Sequence, residues 1–345
     1  QYESIRDRVV ALGQEAILRP KLTSAEEIIA PQAPLHVDAV AAEVARQSPP
    51  DERTEFWKNR MPEADRPRHM AMQLNRALGD LLVKYPEALI FGEDVAKKGG
   101  VYHVTAELSE KASVGRVFNT LLDEQSILGV AIGAGHLGYI PIPEIQYLAY
   151  LHNAEDQLRG EAASLAFFSQ GQFANPMVVR IASYAYQKGF GGHFHNDNSV
   201  AVLRDIPGLI IASPARADDA VAMLRTCMAA AKVNGRICAF LEPIALYMTK
   251  DLHAAGDKEW CTPYSEHSEH IPVGCGKTWR EGEDLTILTW ANGLWMSLRV
   301  ADRLEKEHGI RVKVFDLRWL NPLPDAQILE AAQAIVGEED PGPVV

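Results

Sequence analysis

Short apolar runs alternate with longer stretches of helical periodicity through the middle of the chain. Runs of this length are typical of strands buried on both faces, and the stretches between them carry apolar residues at helical spacing. The predicted strands are Ala88–Phe91, Pro141–Ile145, Met177–Ile181, Leu209–Ala212 and Ala239–Glu242, and the predicted helices are Ser126–His136, Ala149–Phe168 and Ala217–Ala231. The alternation predicts an α/β fold, with a parallel sheet covered by helices on both faces.

A second, smaller α/β unit follows a loop-like stretch that runs from Tyr247 to His270. Its pattern predicts a strand, an amphipathic helix, a strand and a further helix, at Leu285–Trp290, Leu294–His308, Arg311–Asp316 and Asp325–Ile335. The polar, turn-rich run Gly337–Pro343 comes before a third strand could form. We therefore expect a C-terminal unit that is truncated.

The first 65 residues have a different pattern. A short amphipathic helix is expected over Tyr2–Leu18, and five prolines then separate Ala/Glu-rich helical pieces up to Pro50. The apolar residues are too scattered for a private core, and a helix that opens the main domain begins near Met70. The expected organisation is a wrapping or linker segment over 1–65, a first α/β domain over 66–255 and a second over 256–345.

Composition narrows the function classes. The 345 residues are 47% hydrophobic and carry a net charge of −12, and no dense Lys/Arg cluster suggests a nucleic-acid surface. Four cysteines without a C-x-x-C pair fit a reducing compartment, and no apolar run has the roughly 20 residues of a membrane helix. The spacing of His253, His267 and His270 matches no standard metal site, so no metal ligands are assigned.

The sequence of the main domain is organised around the stretch Asn119–Gly138, which places acids at the start of a predicted helix. Asp123 and Glu124 stand just before it, and Gly129, Gly133 and Gly135 repeat within it. Glycine destabilises a helix, so we expect this one to pack closely against a flat surface. One interpretation is a simple helix cap; the other is an acid carried into a protected site.

Polar and aromatic residues also follow three of the predicted strands. Glu93 follows the first strand, Tyr147 to Tyr150 follow the second, and the Gly-rich run Gly189–His195 follows the third. Open α/β sheets bind ligands at the carboxyl ends of their strands. Taken singly, a strand-end glutamate is usually solvated, an aromatic residue there usually belongs to the core, and a loop histidine usually lies at the surface. Together, an acid, an aromatic ring and a histidine on a Gly-rich loop suit a heteroaromatic cofactor that shuttles protons.

Residues 66–335 resemble the beta subunits of thiamine-diphosphate-dependent 2-oxo acid dehydrogenases, the decarboxylating components of the pyruvate and branched-chain complexes. Seven segments carry the resemblance in order: Gly92–Asp94 with Gly99–Val101, Thr105 and Leu108; Asn119–Gly133; Glu144–Gln146; Gly191–His195; Pro207–Leu209; Leu241–Pro243; and Asp316–Leu323. The resemblance implies a pyrimidine-binding transketolase-like domain followed by a smaller transketolase C-terminal domain.

The resemblance also implies roles for four residues. Glu124 would hydrogen-bond N1′ of the cofactor's aminopyrimidine and so promote the proton shift that activates thiazolium C2. Tyr150 would stack on the pyrimidine, with Glu93 in the same pocket. His195 would lie near the reacting carbon, where it would orient substrate or assist transfer to a lipoyl group.

Partners follow from the same resemblance. In the family, the pyrophosphate and its Mg²⁺ are bound by an alpha portion through a Gly-Asp-Gly motif, which is absent from this sequence. This chain is therefore expected to hold half of the cofactor site. The resemblance also allows for a bound monovalent cation. A second beta copy and a lipoyl acyltransferase core are further expected partners. Residues 1–65 resemble an alpha-subunit tail, which suggests a fused alpha–beta parent chain. The expected location is the cytoplasm of a bacterium, or the mitochondrial matrix of a eukaryote.

Two other functions remain open at this point. A relative of transketolase or deoxyxylulose-phosphate synthase would use the same pyrimidine-binding glutamate, although Glu144–Gln146, Leu241–Pro243 and Asp316–Leu323 favour the dehydrogenase branch. A non-catalytic assembly subunit would keep the pocket only as architecture. The joint presence of Glu124, Tyr150 and His195 argues against that alternative.

Overall fold

The computed structural model describes residues 1–30, 32–186 and 191–333. Its α-helices are α1 (Tyr2–Ile17), α2 (Ala25–Ile29), α3 (Val37–Ala45), α4 (Pro50–Phe56), α5 (Met70–Lys84), α6 (Leu108–Ala112), α7 (Glu124–His136), α8 (Leu148–Leu151), α9 (Leu165–Phe168), α10 (Ala201–Arg204), α11 (Ala217–Asn234), α12 (Asn292–His308) and α13 (Asp325–Gln333). Its strands are β1 (Ala88–Gly92), β2 (Val117–Asn119), β3 (Ile140–Ile145), β4 (Met177–Ser183), β5 (Ile210–Ala212), β6 (Ile237–Pro243), β7 (Lys277–Arg280), β8 (Leu285–Thr289), β9 (Val312–Asp316) and β10 (Trp319–Asn321).

A seven-stranded sheet forms the centre of the molecule, in the order β10-β5-β6-β4-β3-β1-β2. All neighbouring pairs are parallel except β10 with β5, which is antiparallel. Gly92 at the end of β1 is in register with Asn119 of β2 and with Glu144 of β3. The carboxyl ends of these strands therefore lie side by side, and the predicted α/β fold is confirmed.

The two faces of the sheet bury different helices because successive strand residues point in opposite directions. Ile90 packs in a core with Leu78 of α5 and Met223 of α11, whereas the next residue, Phe91, packs in a second core with Leu128 of α7. Both cores are made of buried side chains, and Ile90, Leu78, Phe91 and Leu128 are each 0% exposed. The near-continuous apolar sequence of the strands is a consequence of this burial on both faces.

The predicted helix Ala149–Phe168 is wrong as one element. It is divided into α8, a π-helical segment over Gln157–Ala162, and α9. The wider π turn keeps Leu158 and Ala162 buried on the side where this segment packs against α7. The apolar spacing alone does not reveal the two interruptions, since each piece is too short to show a period.

The smaller C-terminal unit contains a three-stranded sheet in the order β7-β9-β8, with α12 packed on β8 and β9. The predicted strands and the first predicted helix of this unit are present, and α13 is described as far as Gln333. Residues 334–345, which include the end of the predicted last helix and Gly337–Pro343, lie outside the described residues. Strand β10 leaves this unit and joins the edge of the large sheet next to β5.

The N-terminal segment lies partly along the main domain. Helix α1 has no buried residue, whereas Val40 and Val44 of α3 pack in the core that contains α5 and α11. Further on, Arg53 of α4 forms a bidentate pair with Asp80 of α5, with N–O distances of 2.8 and 2.9 Å. The second half of the N-terminal segment thus packs on helices α5 and α11, which cover one face of the large sheet.

Asp316 is a fully buried carboxyl group where the two α/β units meet. Its Oδ1 accepts a hydrogen bond from the Arg318 backbone at 3.1 Å, and Oδ2 has no partner among the described residues. Arg318 instead pairs in bidentate fashion with Asp219 of α11, at 2.7 and 2.8 Å. Burial, and then the charge of Asp219, raise the pKa of Asp316 to about 7.

We expect Asp316→Asn to stabilise the protein more at pH 8 than at pH 5. The folded pKa of about 7 lies above the value of 3.8 for a free side chain, so Asp316 lowers stability progressively as pH rises from about 4 to 7. The amide carries no charge and its oxygen still accepts from Arg318. Since one pKa unit is worth about 1.4 kcal/mol, the gain in unfolding free energy should grow by ~2–3 kcal/mol between the two pH values.

Urea unfolding at pH 5 and pH 8 measures this difference. The exposed Asp325→Asn in α13 is the matched control and should show no such growth. An equal effect of Asp316→Asn at both pH values would contradict the proposed ionisation.

Candidate active site

Four adjacent parallel strands place the four predicted site residues on one edge of the sheet. Glu93 directly follows β1, Glu124 follows β2 through a short turn, Tyr150 follows β3 on α8, and His195 lies in the segment after β4. Gly189 and Phe190, the first residues of the predicted Gly-rich run, lie outside the described residues. The structure therefore brings together residues that are separated by more than a hundred positions in the sequence.

The two acids at the start of α7 have separate environments. Asp123 is the cap residue, because its Oδ2 accepts a hydrogen bond from the Ser126 backbone at 3.2 Å and another from the Ser126 hydroxyl. Glu124 is the first helical residue and is only 7% exposed. Its Oε2 accepts a long hydrogen bond, 3.4 Å, from the Asn153 side-chain amide. The capping interpretation thus applies to Asp123, whereas Glu124 is a buried carboxylate with one long side-chain hydrogen bond.

Tyr150 and His195 are in direct contact. The Tyr150 hydroxyl lies 2.9 Å from His195 Nε2, and His195 Nδ1 lies 3.1 Å from the Gly191 carbonyl oxygen. A carbonyl only accepts, so Nδ1 carries the proton of the neutral ring and Nε2 accepts from the tyrosine hydroxyl. Tyr147, almost fully buried, packs edge-on against both rings, with centroid distances of 5.4 Å to Tyr150 and 4.6 Å to His195.

Glu93 belongs to the same electrostatic environment. Partial burial, and then the charges of Asp94 and Glu124, raise the pKa of Glu93 above its ordinary value. Burial, Tyr147 and the charges of Glu93 and Glu124 likewise raise the pKa of Tyr150. Glu93, Glu124 and Tyr150 are therefore close enough to interact electrostatically.

A buried ionic network lies in the sheet beneath this edge. The Arg180 side chain of β4 contacts Glu144 of β3 at 2.7 Å and holds Glu242 of β6 in a bidentate pair at 2.7 and 2.8 Å. The Tyr247 hydroxyl also donates to Glu242. Burial alone would lower the pKa of Arg180, but the two carboxylates outweigh it and hold the pKa above its ordinary value. The network joins the three central strands just below the site.

Sequence reasoning placed Tyr147 after the second strand but did not identify Asn153 or Arg180 as part of this region. The sequence does contain an indication of Arg180, because a charged residue inside the apolar run Met177–Ile181 requires a buried partner. It contains no indication of Asn153, because the position of Asn153 depends on the interruption between α8 and the π-helical segment.

The helix glycines have different surroundings from one another. A Cβ on Gly135 would lie 3.3 Å from Pro176, so this glycine packs closely within the chain, as expected. A Cβ on Gly129 or Gly133 would meet no atom within 4 Å. These two glycines lie on an exposed face of α7 with Val130 and Leu137, which are 48% and 80% exposed. No described residue of this chain packs closely against Gly129 or Gly133.

The described residues contain no group of three or more His, Cys, Asp and Glu side chains arranged to hold a metal ion. Within the same part of the chain, no helix combines the length and apolar character needed to cross a membrane.

Comparison with known proteins identifies both domains. The family described as "Transketolase, pyrimidine binding domain" matches residues 67–249, and "Transketolase, C-terminal domain" matches residues 274–340. Among solved structures, a split-gene transketolase described as an inactive beta4 tetramer is similar with a TM-score of 0.60 at 20% identity, over 77% of this chain and 76% of that one. That likeness supports the transketolase-type fold.

Curated relatives are more similar in sequence. The chain is 32% identical over 277 residues to a 3-methyl-2-oxobutanoate dehydrogenase subunit beta of Mycobacterium tuberculosis, covering 79% of this chain and 74% of the relative. It is 34% identical over 260 residues to a 2-oxoisovalerate dehydrogenase subunit beta of Bacillus subtilis (75% and 74% covered). A pyruvate dehydrogenase E1 component subunit beta of Acholeplasma laidlawii is 32% identical (75% and 74%). The chain therefore belongs to the family of 2-oxo acid dehydrogenase beta subunits.

Proposed function

We propose that this chain supplies the pyrimidine-binding half of a thiamine-diphosphate site in an enzyme that decarboxylates a 2-oxo acid and transfers the acyl group to a lipoyl group. One observation carries the proposal. Four neighbouring strand ends bring together Glu124, Glu93, Tyr150 and His195, and the helix cap is made by Asp123, so the Glu124 carboxylate is available for a ligand.

The residues fit the cofactor on the chemistry of their donor and acceptor groups. An aminopyrimidine presents a basic ring nitrogen, an amino group and a flat aromatic face. A buried carboxylate whose only side-chain bond among the described residues is long, as in Glu124, has free acceptor capacity for the protonated ring nitrogen. The half-buried ring of Tyr150, tied to His195, offers an aromatic surface beside it.

Each residue has a role that follows from its environment. Thiamine diphosphate, when bound, would supply a carbon nucleophile and an electron sink for the decarboxylation of a 2-oxo acid. Glu124 holds or exchanges a proton at the pyrimidine N1′, in a protected site that strengthens this hydrogen bond. Tyr150 positions the pyrimidine face. His195, whose Nδ1 is fixed by the Gly191 carbonyl, is proposed to orient substrate or to assist transfer to the lipoyl group.

The proposal assigns the remaining half of the site to an alpha portion, which would hold the pyrophosphate and Mg²⁺. The exposed face of α7, with Gly129 and Gly133 open, supports a partner chain, either that portion or a second beta copy, close to the helix that carries Glu124. A lipoyl acyltransferase core is the proposed acceptor of the acyl group. A monovalent cation is an optional further ligand.

Calorimetric titration of thiamine diphosphate with Mg²⁺ tests the shared site. The titration is made into this chain alone and into its mixture with a candidate alpha portion, after their complex has been demonstrated by gel filtration. We expect heat of binding only in the mixture. Tight binding to this chain alone would overturn the divided site, and no binding to the demonstrated complex would favour a non-catalytic assembly subunit.

A further inference from the structure

We infer that a cavity between the N-terminal segment and helices α5 and α11 binds a small organic anion with a short apolar chain. The cavity encloses about 260 Å³. Its walls come from the stretch 46–54 with Met61, from Ala77–Lys84 of α5, from Arg225 of α11, and from His267 at the exposed rim. Because α5 ends just before β1 begins, the cavity lies toward the amino end of β1, away from Glu93 and Tyr150. The inference does not depend on the proposed function.

The cavity carries more positive than negative charge. Two of its cations are neutralised, because Arg53 pairs with Asp80 and with Glu63, and Arg46 pairs with Glu43. Lys84 and Arg225 form no ion pair within the described ranges. Lys84 Nζ donates to the backbone carbonyls of Glu43 and Val44 at 2.7 and 2.9 Å.

Arg225 is similarly held by backbone carbonyl groups. Its guanidinium donates to Ser265 at 3.0 Å, to Glu269 at 3.3 Å and to Glu266. Carbonyl dipoles orient both cations but do not neutralise them. Arg225 is only 6% exposed, so its charge is retained in a largely dehydrated position, where an anion would interact strongly.

Lys84 is a partly buried cation that is compensated only in part, by the nearby charge of Glu43. Burial lowers the pKa of Lys84, the charge of Glu43 raises it, and the smaller effects of Arg46 and Arg225 lower it again, which leaves the pKa at about 8. An anion in the cavity would reverse part of this shift. Binding should therefore be strongest below pH 8 and weaken as Lys84 loses its proton.

Apolar groups line the cavity beside these cations. Ala77 and Leu81 are buried on α5, and Met61 and Pro50 line the same cavity. A free inorganic ion would leave these surfaces unfilled, whereas a branched or short alkyl chain would cover them. A small carboxylate or phosphate ester of this kind matches both the charge and the shape of the cavity.

Ligand-observed NMR on the whole chain tests the inference with three probes at pH 7: isobutyrate, the uncharged isobutyramide, and inorganic phosphate. We expect isobutyrate to bind at least about tenfold more tightly than isobutyramide, since a charge-assisted contact to Lys84 is lost in the amide. Saturable phosphate binding that competes with isobutyrate would identify a phosphate ester as the ligand class. Its absence would identify a carboxylate.

Two variants locate the binding. Lys84→Met should weaken isobutyrate binding about tenfold, whereas Lys306→Met, which removes an exposed lysine of α12, should leave it unchanged. Ala77→Leu fills the cavity without changing a charge, so it should abolish binding even if Lys84→Met unfolds. Equal binding of isobutyrate and isobutyramide, or retained binding in Ala77→Leu with a native circular dichroism spectrum, would overturn the inference.

Discussion

Glu124→Gln should lower turnover of the enzyme reconstituted with an alpha portion by about 10²–10⁴-fold, the usual contribution of a positioned acid–base group. The amide keeps the length and shape of the side chain and its acceptor oxygen toward Asn153. It cannot exchange a proton with the pyrimidine. The cap made by Asp123 is not altered, so the thermal midpoint should change little. Steady-state decarboxylation with an artificial electron acceptor measures the effect.

The matched control is Glu110→Gln, which changes an exposed first-turn glutamate of the short helix α6. It should leave turnover unchanged. Loss of activity in Glu124→Gln with cofactor binding still measurable by calorimetry separates proton transfer from binding. Normal turnover of Glu124→Gln would remove Glu124 from the proposed mechanism.

Arg180→Met should destabilise the fold by ~3–5 kcal/mol, because it leaves two carboxylates in the centre of the sheet without a counter-charge. The side chains of Arg180 and Glu242 are each 1% exposed, so water cannot replace the missing partner. Burial raises the pKa of Glu144 even with Arg180 present, and the substitution should raise it further. Urea unfolding followed by circular dichroism measures the loss.

A compensating variant keeps the test decisive if Arg180→Met does not fold. Combining it with Glu144→Gln and Glu242→Gln removes the buried charges together, and most of the stability should return. Arg303→Met, at an exposed position of α12, is the control for loss of an arginine. A small effect of Arg180→Met alone would mean that the network contributes little to stability.

Much of the sheet was predictable because its strands are buried on both faces. Runs such as Met177–Ile181 are apolar at every position except Arg180, and they stand out from their surroundings. The edge strands β2 and β10 have three residues each and were missed, since so short a run has no readable period. The division of Ala149–Phe168 was missed for the same reason.

The sequence predicted which residues form the candidate site, but it did not predict the contacts between them. The positions of Glu93, Glu124, Tyr150 and His195 at strand ends follow from the order of strands and helices. The bond between Tyr150 and His195, and the contact of Asn153 with Glu124, join segments that are far apart in sequence or interrupted in structure. Such contacts depend on the register of neighbouring strands, which no local pattern specifies. The roles of the four residues stay predictions until the substitutions are made.

The pairing of β10 with β5 has a consequence for any attempt to divide the chain into its two units. A fragment ending near residue 255 would lack Trp319–Asn321, and the backbone groups of Ile210–Ala212 would become an open sheet edge. It would also lose Trp319, a fully buried side chain of the main core. The boundary between the two sequence families is therefore not a folding boundary, and an evolutionary exchange of the C-terminal unit would have to bring a replacement edge strand with it.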